Sequence, residues 1–263
     1  MSNSAEYLKT LFGMDGQVAV IVGGAGELGG ALGAGLGQAG AKIVVADRSE
    51  DACEARVETL KKLGIDARPL VVDITERDSI RQLLDGALKW TGKVDMLVNC
   101  AGINAGTPFL EVDPTLWDKI FAVNLKGTME ACQVFIESML KNENGGSILN
   151  IGSVTSERPL SRVFAYAASK AGIVNLTQNI AQEFGNRKIR VNAICPGFFP
   201  AEQNRKLLDA ERVENIMRGT PMERYGSPDE LVGAALLLLS AKAGSYMTGS
   251  IVYVDGGFTC SWF

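Results

Sequence analysis

Tyr166 and Lys170 stand four residues apart in an alanine-rich run, 165–180, that reads as a helix, so both side chains fall on one helical face. A free tyrosine titrates near ~10 and exchanges protons poorly at neutral pH; a neighbouring ammonium stabilises the phenolate and lowers that value. The pair therefore predicts a tyrosine that works as an acid or a base. Ser153 follows an apolar run, 146–152, that reads as a buried strand, and a hydroxyl there can hydrogen-bond the same substrate oxygen. Taken alone, Tyr-x-x-x-Lys equally describes an amphipathic tyrosine beside a surface lysine. Its meaning depends on the elements that would position it.

Those elements alternate. The β-branched run 17–22 leads directly into Gly23-Gly24-Ala25-Gly26-Glu27-Leu28-Gly29-Gly30, then into an Ala/Leu/Gly stretch as far as Gly40. This reads as strand, glycine turn and helix. A second buried strand, 41–46, ends at Asp47. Gly24, Gly26 and Gly29 have the G-x-G-x-x-G spacing that lets a backbone approach a pyrophosphate at a helix N-terminus, and an acid at the end of the next strand completes the context. Helix 51–63, strand 67–72 with Asp73, helix 77–91 and strand 94–98 with Asn99-Cys-Ala-Gly102 follow. A helix opened by Pro114 continues through Asn124 towards Leu140; then come strand 147–151, the Tyr166 helix, strand 189–194 with Pro196-Gly197, helix 228–240 and strand 250–254. Short apolar strands alternating with helices predict an α/β fold: one doubly wound, Rossmann-type domain with a parallel sheet and helices on both faces. Residues 1–16 read as a polar N-terminal arm before a domain spanning 17–263. The charged segment 198–226 breaks the alternation just after a strand's C-terminal end and is read as a substrate lid.

Composition narrows the chemistry. The chain has 263 residues, 46% hydrophobic and 21% charged, as in ordinary soluble domains. A net charge of -4 argues against nucleic acid as the main partner. No leader-like segment or bilayer-length apolar run is seen, which predicts a cytosolic protein without membrane association. The five scattered cysteines contain no Cys-x-x-Cys and read as reduced thiols. With no histidine, Ser-His-Asp triads and histidine-ligated metals are excluded, and no metal site is expected. Proton chemistry falls to Tyr, Lys, Asp, Glu or a water relay.

The glycine turn, Asp47, Asn99-Cys-Ala-Gly102, Asn124, Ser153 and Tyr166-x-x-x-Lys170 occur in the order that resembles the short-chain dehydrogenase/reductase family along essentially the whole chain. Within it the sequence is most similar to sugar-acid and polyol oxidoreductases of the D-mannonate oxidoreductase and gluconate 5-dehydrogenase type, through 23–30, Pro196-Gly-Phe-Phe199, 203–208 and 219–226. The resemblance implies that Ser153 polarises the substrate oxygen, Tyr166 gives or takes its proton, Lys170 binds the nicotinamide ribose and lowers the tyrosine pKa, and Asn124 helps hold a water linking Lys170 to solvent. It implies a cofactor lying along Gly23, Gly26, Glu27, Leu28, Gly29, Asp47, Arg48, Asp73, Ile74, Asn99, Ala101, Gly102, Pro196, Gly197 and Phe199, besides Tyr166 and Lys170. Asp47 would bind the adenosine ribose hydroxyls and repel the extra phosphate of NADP, favouring NAD(H) over NADP(H), although Arg48 lies beside it. Asn104, Thr155, Arg158, Gln203 and Arg205 are the substrate candidates, the arginines for a carboxylate. A homotetramer is expected from the resemblance, and the apolar end 258–263 is expected at an interface, with packing on the last strand as the other reading.

Departures from the family pattern are visible too. Val22 stands where threonine is usual and Glu27 where the middle glycine is usual, with Gly26 one place earlier; Cys100 replaces an asparagine, and Gly152 precedes the serine. Glu27 is expected to face solvent or to pair with a cation. Two other functions remain open: a 3-ketoacyl reductase or other alcohol dehydrogenase on the same fold, and a homologue that binds cofactor without turnover.

Overall fold

Five consecutive apolar residues, Val18–Val22, form strand β1 with every side chain buried. Successive strand side chains point to opposite faces, so a strand apolar at every position needs cover on both. In the computed structural model, which describes residues 3–199 and 210–261, helices supply that cover. Ala19 and Ile21 enter one apolar cluster with Leu32, Leu36, Leu231 and Leu238; Val20 and Val22 enter another with Ile80, Leu97, Phe135 and Ile148.

Strands β2 (Lys42–Asp47), β3 (Ala67–Val71), β4 (Met96–Asn99), β5 (Gly146–Ile151), β6 (Ile189–Pro196) and β7 (Ile251–Val254) join β1 in a seven-stranded sheet of order β3-β2-β1-β4-β5-β6-β7. Each pairing is parallel, Val20 facing Val44 on one side and Leu97 on the other. The chain thus moves outward from β1 to β3 and returns to β1's other edge as β4. Loops diverge at such a switch point and leave a crevice at the strands' C-terminal ends. Helices α2 (Glu27–Gln38), α3 (Glu50–Lys62), α4 (Arg77–Thr91), α5 (Pro114–Phe121), α6 (Thr128–Met139), α7 (Phe164–Phe184) and α9 (Val232–Leu239) make the crossovers. This is the single Rossmann-type α/β domain expected from the alternation.

Three segments differ from the sequence reading. The arm is largely a helix, α1 (Asn3–Phe12), and its end is docked: Met14 is fully buried, and the Leu11 carbonyl accepts the Ser240 hydroxyl at 2.7 Å. An apolar residue just beyond a short amphipathic helix gives that docking its anchor. The long helix from Pro114 is not uniform. Between α5 and α6, residues Ala122–Gly127 wind in wider π-helical turns, a form enriched at functional sites, and carry Asn124 fully buried. Within the excursion 198–226, helix α8 (Ala210–Gly219) is amphipathic, with Ile216 buried. The excursion is pinned at its base, where the Gly226 N–H donates to the Phe198 carbonyl at 3.0 Å and a side chain at Gly226 would collide with the Phe199 ring.

Candidate active site

The glycine turn fits a phosphate for reasons visible atom by atom. Gly23 has φ 80, and a Cβ there would lie 2.5 Å from the Ala101 nitrogen, because the loops after β1 and β4 cross at this point. A Cβ on Gly29 would lie 2.2 Å from the Gly23 carbonyl oxygen. Gly26 is different: the nearest protein atom to its absent side chain is 3.4 Å away, so nothing beneath requires a glycine. Its bareness instead opens the mouth of α2, where the first backbone N–H groups have no intrahelical acceptor. That is a cradle suited to a pyrophosphate. Leu28 packs inward against the core while Glu27 is exposed, the solvent-facing placement expected for it.

Two acids stand where the sequence reading places the adenosine. Asp47 ends β2 with one carboxylate oxygen accepting the Arg48 N–H at 2.8 Å. Asp73 accepts the Thr75 hydroxyl at 2.6 Å and the Thr75 N–H at 2.9 Å, and these bonds hold its carboxyl below the ordinary aspartate range. Ile74 is buried beneath the π-helical turns, its carbonyl against Gly127. Asn99 ends β4, and its side chain is held within the protein. Its amide donates to Asn150 Oδ1 at 2.9 Å and Cys132 Sγ at 3.4 Å, and Asn150 donates in turn to Thr177 at 2.9 Å. The amide's partners lie on β5 and α6, while its Oδ1, equally buried, has no hydrogen-bond partner among the protein groups.

The residues expected to handle the proton converge beyond Gly102. Ser153 follows β5 by two residues and caps the short turn Val154–Ser156; its Oγ accepts the Thr155 N–H at 3.1 Å and the Thr155 hydroxyl at 2.9 Å, and it is hydrogen-bonded to Tyr166. Lys170 Nζ lies 5.6 Å from the Tyr166 ring centre and donates to the Ile151 carbonyl at 2.7 Å. Asn124 clamps the chain after β4: its carbonyl oxygen accepts the Ile103 N–H at 2.8 Å, and its amide donates to the Ile103 carbonyl at 3.0 Å and to Ser169 Oγ at 3.1 Å. A Cβ on Gly102 would come within 3.4 Å of Asn124 and 3.6 Å of Lys170, so glycine keeps that passage narrow but clear.

Electrostatics correct one expectation. The Tyr166 phenol is pushed up to about 12, because burial outweighs the lowering effect of the Ser153 hydrogen bond. Lys170 is pulled down to about 8 by its own burial, being only 4% exposed. In the protein alone the lysine therefore does not make the tyrosine acidic; desolvation disfavours the charged form of each.

The substrate candidates separate. Asn104 lies in the loop after β4 with its buried Oδ1 lacking a hydrogen-bond partner among protein groups. Thr155 is not aimed at a substrate: both bonds given above place it behind Ser153, which it orients. Arg158 is tied to the C-terminal segment, its guanidinium donating through Nε and Nη2 to the Thr259 carbonyl. Gln203 and Arg205 lie outside the described residues. Pro196 and Gly197 end β6, where the Gly197 N–H donates to Val254 at 3.0 Å, and Phe199 is buried in the core layer. Within the chain, Phe258 of the C-terminal segment packs edge-on against Phe198, and Thr259 donates twice to Asp255. Sequence inspection missed Ser169, Thr155's supporting role and Arg56, whose guanidinium touches the glycine turn. The one available signal was Gly30, a glycine beyond those the phosphate motif requires.

Among the described residues no cluster of Asp, Glu or Cys could hold a metal ion, and no helix is long and apolar enough to cross a membrane. The sheet order, the switch-point glycine turn and the Ser153, Tyr166, Lys170 cluster are those of a nicotinamide-dependent oxidoreductase fold, and the chain belongs to the short-chain dehydrogenase/reductase family. A family model described as enoyl-(acyl carrier protein) reductase matches residues 24–259. The chain is 34% identical over 251 residues to the 5-keto-D-gluconate 5-reductase of Escherichia coli, covering 95% of this chain and 98% of that protein. It is also 34% identical over 244 residues to the 3-oxoacyl-[acyl-carrier-protein] reductase of Thermotoga maritima, covering 93% and 98%. Among solved structures, a gluconate 5-dehydrogenase from Burkholderia cenocepacia in complex with NADP and tartrate superimposes with TM-score 0.92 at 34% identity, over 97% of this chain and 100% of that one.

Proposed function

We propose that this enzyme interconverts a secondary alcohol and a ketone on a small polyhydroxylated substrate, a sugar acid or polyol, using NAD(H). The observation that carries the reaction type is the cluster of Tyr166 with the buried Ser153 and Lys170 at the mouth of the switch-point crevice. A bound nicotinamide supplies the hydride chemistry, and the protein supplies position and a proton. Gly23, Gly26 and Gly29 with the N–H groups opening α2 hold the pyrophosphate, Asp47 the adenosine ribose, and Lys170 the nicotinamide ribose. Ser153, oriented by Thr155, hydrogen-bonds the substrate oxygen, and Tyr166 passes that oxygen its proton. A phenol held near 12 is protonated at neutral pH, which suits proton donation in the reducing direction. Asn124 fixes the passage beside Lys170 through which a water relay reaches solvent, and the excursion 198–226, of which residues 200–209 lie outside those described, is the lid of the substrate site.

The sugar-acid reading draws on the names of the relatives from Escherichia coli and Burkholderia cenocepacia. The solved neighbour holds NADP, so the preference for NAD(H) rests on the Asp47 carboxylate alone, which a 2′-phosphate would have to approach. The name of the Thermotoga maritima relative favours a second reading, reduction of a 3-ketoacyl group. A panel of sugar acids, polyols, their keto forms and a 3-ketoacyl thioester, assayed with NAD(H) and NADP(H) beside Tyr166→Phe, separates them. Tyr166-dependent turnover of an acidic sugar with NAD(H) supports the first reading; turnover only of the thioester establishes the second; turnover confined to NADPH removes the role given to Asp47. The homotetramer is carried by family resemblance and is tested by sedimentation.

A further inference from the structure

The phosphate motif ends at Gly29, yet the next residue is also glycine, and the reason lies in another element. A methyl group on Gly30 would sit 2.4 Å from Cζ, 2.6 Å from Nε and 2.7 Å from Nη1 of Arg56, which reaches over from α3. The absent side chain is what admits the guanidinium. Arg56 Nη2 donates to the Ala25 carbonyl at 3.2 Å and to the Gly26 carbonyl at 3.3 Å, while Nε is buried without a partner. A charged group partly withdrawn from water against backbone carbonyls is a costly arrangement for an ordinary surface arginine. Its geometry suits a purpose. In a planar trans peptide the carbonyl and the following N–H point in opposite directions, so a donor holding the Gly26 carbonyl from behind turns the Glu27 N–H away from itself, towards the open mouth of α2. The same cation lies against the residue preceding Glu27, the one acidic side chain at that mouth, where an approaching phosphate is repelled.

We propose that Arg56 is a positioning residue for the dinucleotide pyrophosphate: lodged in the space left by Gly30, it holds the 25–26 and 26–27 peptide units so that the Glu27 N–H faces the phosphate, and its charge offsets that of Glu27. The proposal rests on the nucleotide-cofactor reading of the turn and is independent of which substrate is reduced.

The test is binding rather than turnover. ADP, which carries the diphosphate, and adenosine, which does not, are titrated as competitors of NADH fluorescence against the wild type, Arg56→Gln, Arg56→Lys and Gly30→Ala. Arg56→Gln is expected to weaken ADP about tenfold, the scale of one lost charge-assisted hydrogen bond, with adenosine unchanged. Gly30→Ala is expected to reproduce that loss without touching the arginine codon, because its methyl expels the guanidinium. Arg56→Lys, keeping the charge and one donor, is expected to recover part of it. The KM for cofactor should rise with kcat nearly constant. Unchanged ADP affinity in both Arg56→Gln and Gly30→Ala overturns the proposal, as does an equal loss of adenosine and ADP, which would mark general loosening of the site. If Arg56→Gln does not fold, Gly30→Ala, which adds a better helix former, carries the test alone. A wild type that binds neither ADP nor NADH would instead overturn the cofactor reading.

Discussion

The two ends of the crevice use opposite physics. At the glycine turn the candidate recognising groups are backbone N–H donors at an open helix mouth; of the nearby charges Glu27 and Arg48 are exposed, and Arg56 is half-buried behind the turn. At the Tyr166 end the working groups are side chains, and Lys170, Asn124 and Ser153 are all buried. Charges in water are screened and worth little, whereas desolvated groups shift their pKa values and interact strongly. The difference teaches that binding can be tuned gently at one end without disturbing chemistry at the other. Substitutions at the buried end should therefore fall on kcat and be large; those at the open end should fall on cofactor affinity and be small.

Tyr166→Phe tests this most severely. It removes the acid-base group while keeping the ring, and kcat should fall by about 10³-fold with the NADH dissociation constant nearly unchanged. A kcat within an order of magnitude of wild type would dissolve the distinction between the two ends. Asn124→Ala comes next. It leaves the Ile103 N–H and carbonyl and Ser169 without the partners described above, a loss of roughly 2–4 kcal/mol of stability accompanied by lower kcat, readable by chemical denaturation and assay. An effect on KM for cofactor alone would assign Asn124 to the binding end.

The pH dependence of the free protein sharpens the contrast. Lys170 titrates near 8 when folded against 10.5 unfolded, so between these values the unfolded state binds more protons and stability rises with pH. Below pH 8 the buried ammonium costs on the order of 3 kcal/mol. Tyr166 has the opposite sign: its folded value near 12 lies above 10.0, so its contribution is present below pH 10 and lost as pH climbs towards 12. The melting temperature of Lys170→Met relative to wild type should accordingly fall as pH rises from 8 to 10. A pH-independent difference would mean that the lysine is solvated. In the oxidising direction, where Tyr166 must accept a proton, kcat should rise with pH throughout the neutral range.

Glu27→Gly should produce the smallest change. Removing an exposed anion from the mouth of α2 should tighten NADH binding by only about two- to fivefold, with kcat constant. A tenfold or larger gain would show that the turn is far less screened than its exposure implies.

Much of this was legible in the chain. The alternation of short apolar strands with helices specified a parallel sheet because only a sheet covered on both faces can bury strands apolar at every position, and Gly24-x-Gly26-x-x-Gly29 located its phosphate turn. Tyr166 and Lys170 were readable because helical spacing is local. For Asn99 the strand-end position shows where the backbone lies, but not which layer receives the side chain. Arg158 looked like a free polar group until the fold brought Thr259 against it, whereas the Thr155 bonds to Ser153 are local, two residues apart.

What the sequence by itself determined was therefore periodic or local: which segments are strands and helices, which glycines bare the backbone, and which residue pairs share a helical face. The tertiary structure alone decided the partners of buried polar groups and their protonation. Arg56 meets Gly30 from a different helix, Asn124 clamps a loop from another segment, and the pKa values of Tyr166 and Lys170 depend on how much water the assembled layers exclude. Desolvation and long-range hydrogen bonding are properties of assembled surfaces, and no spacing along the chain encodes them.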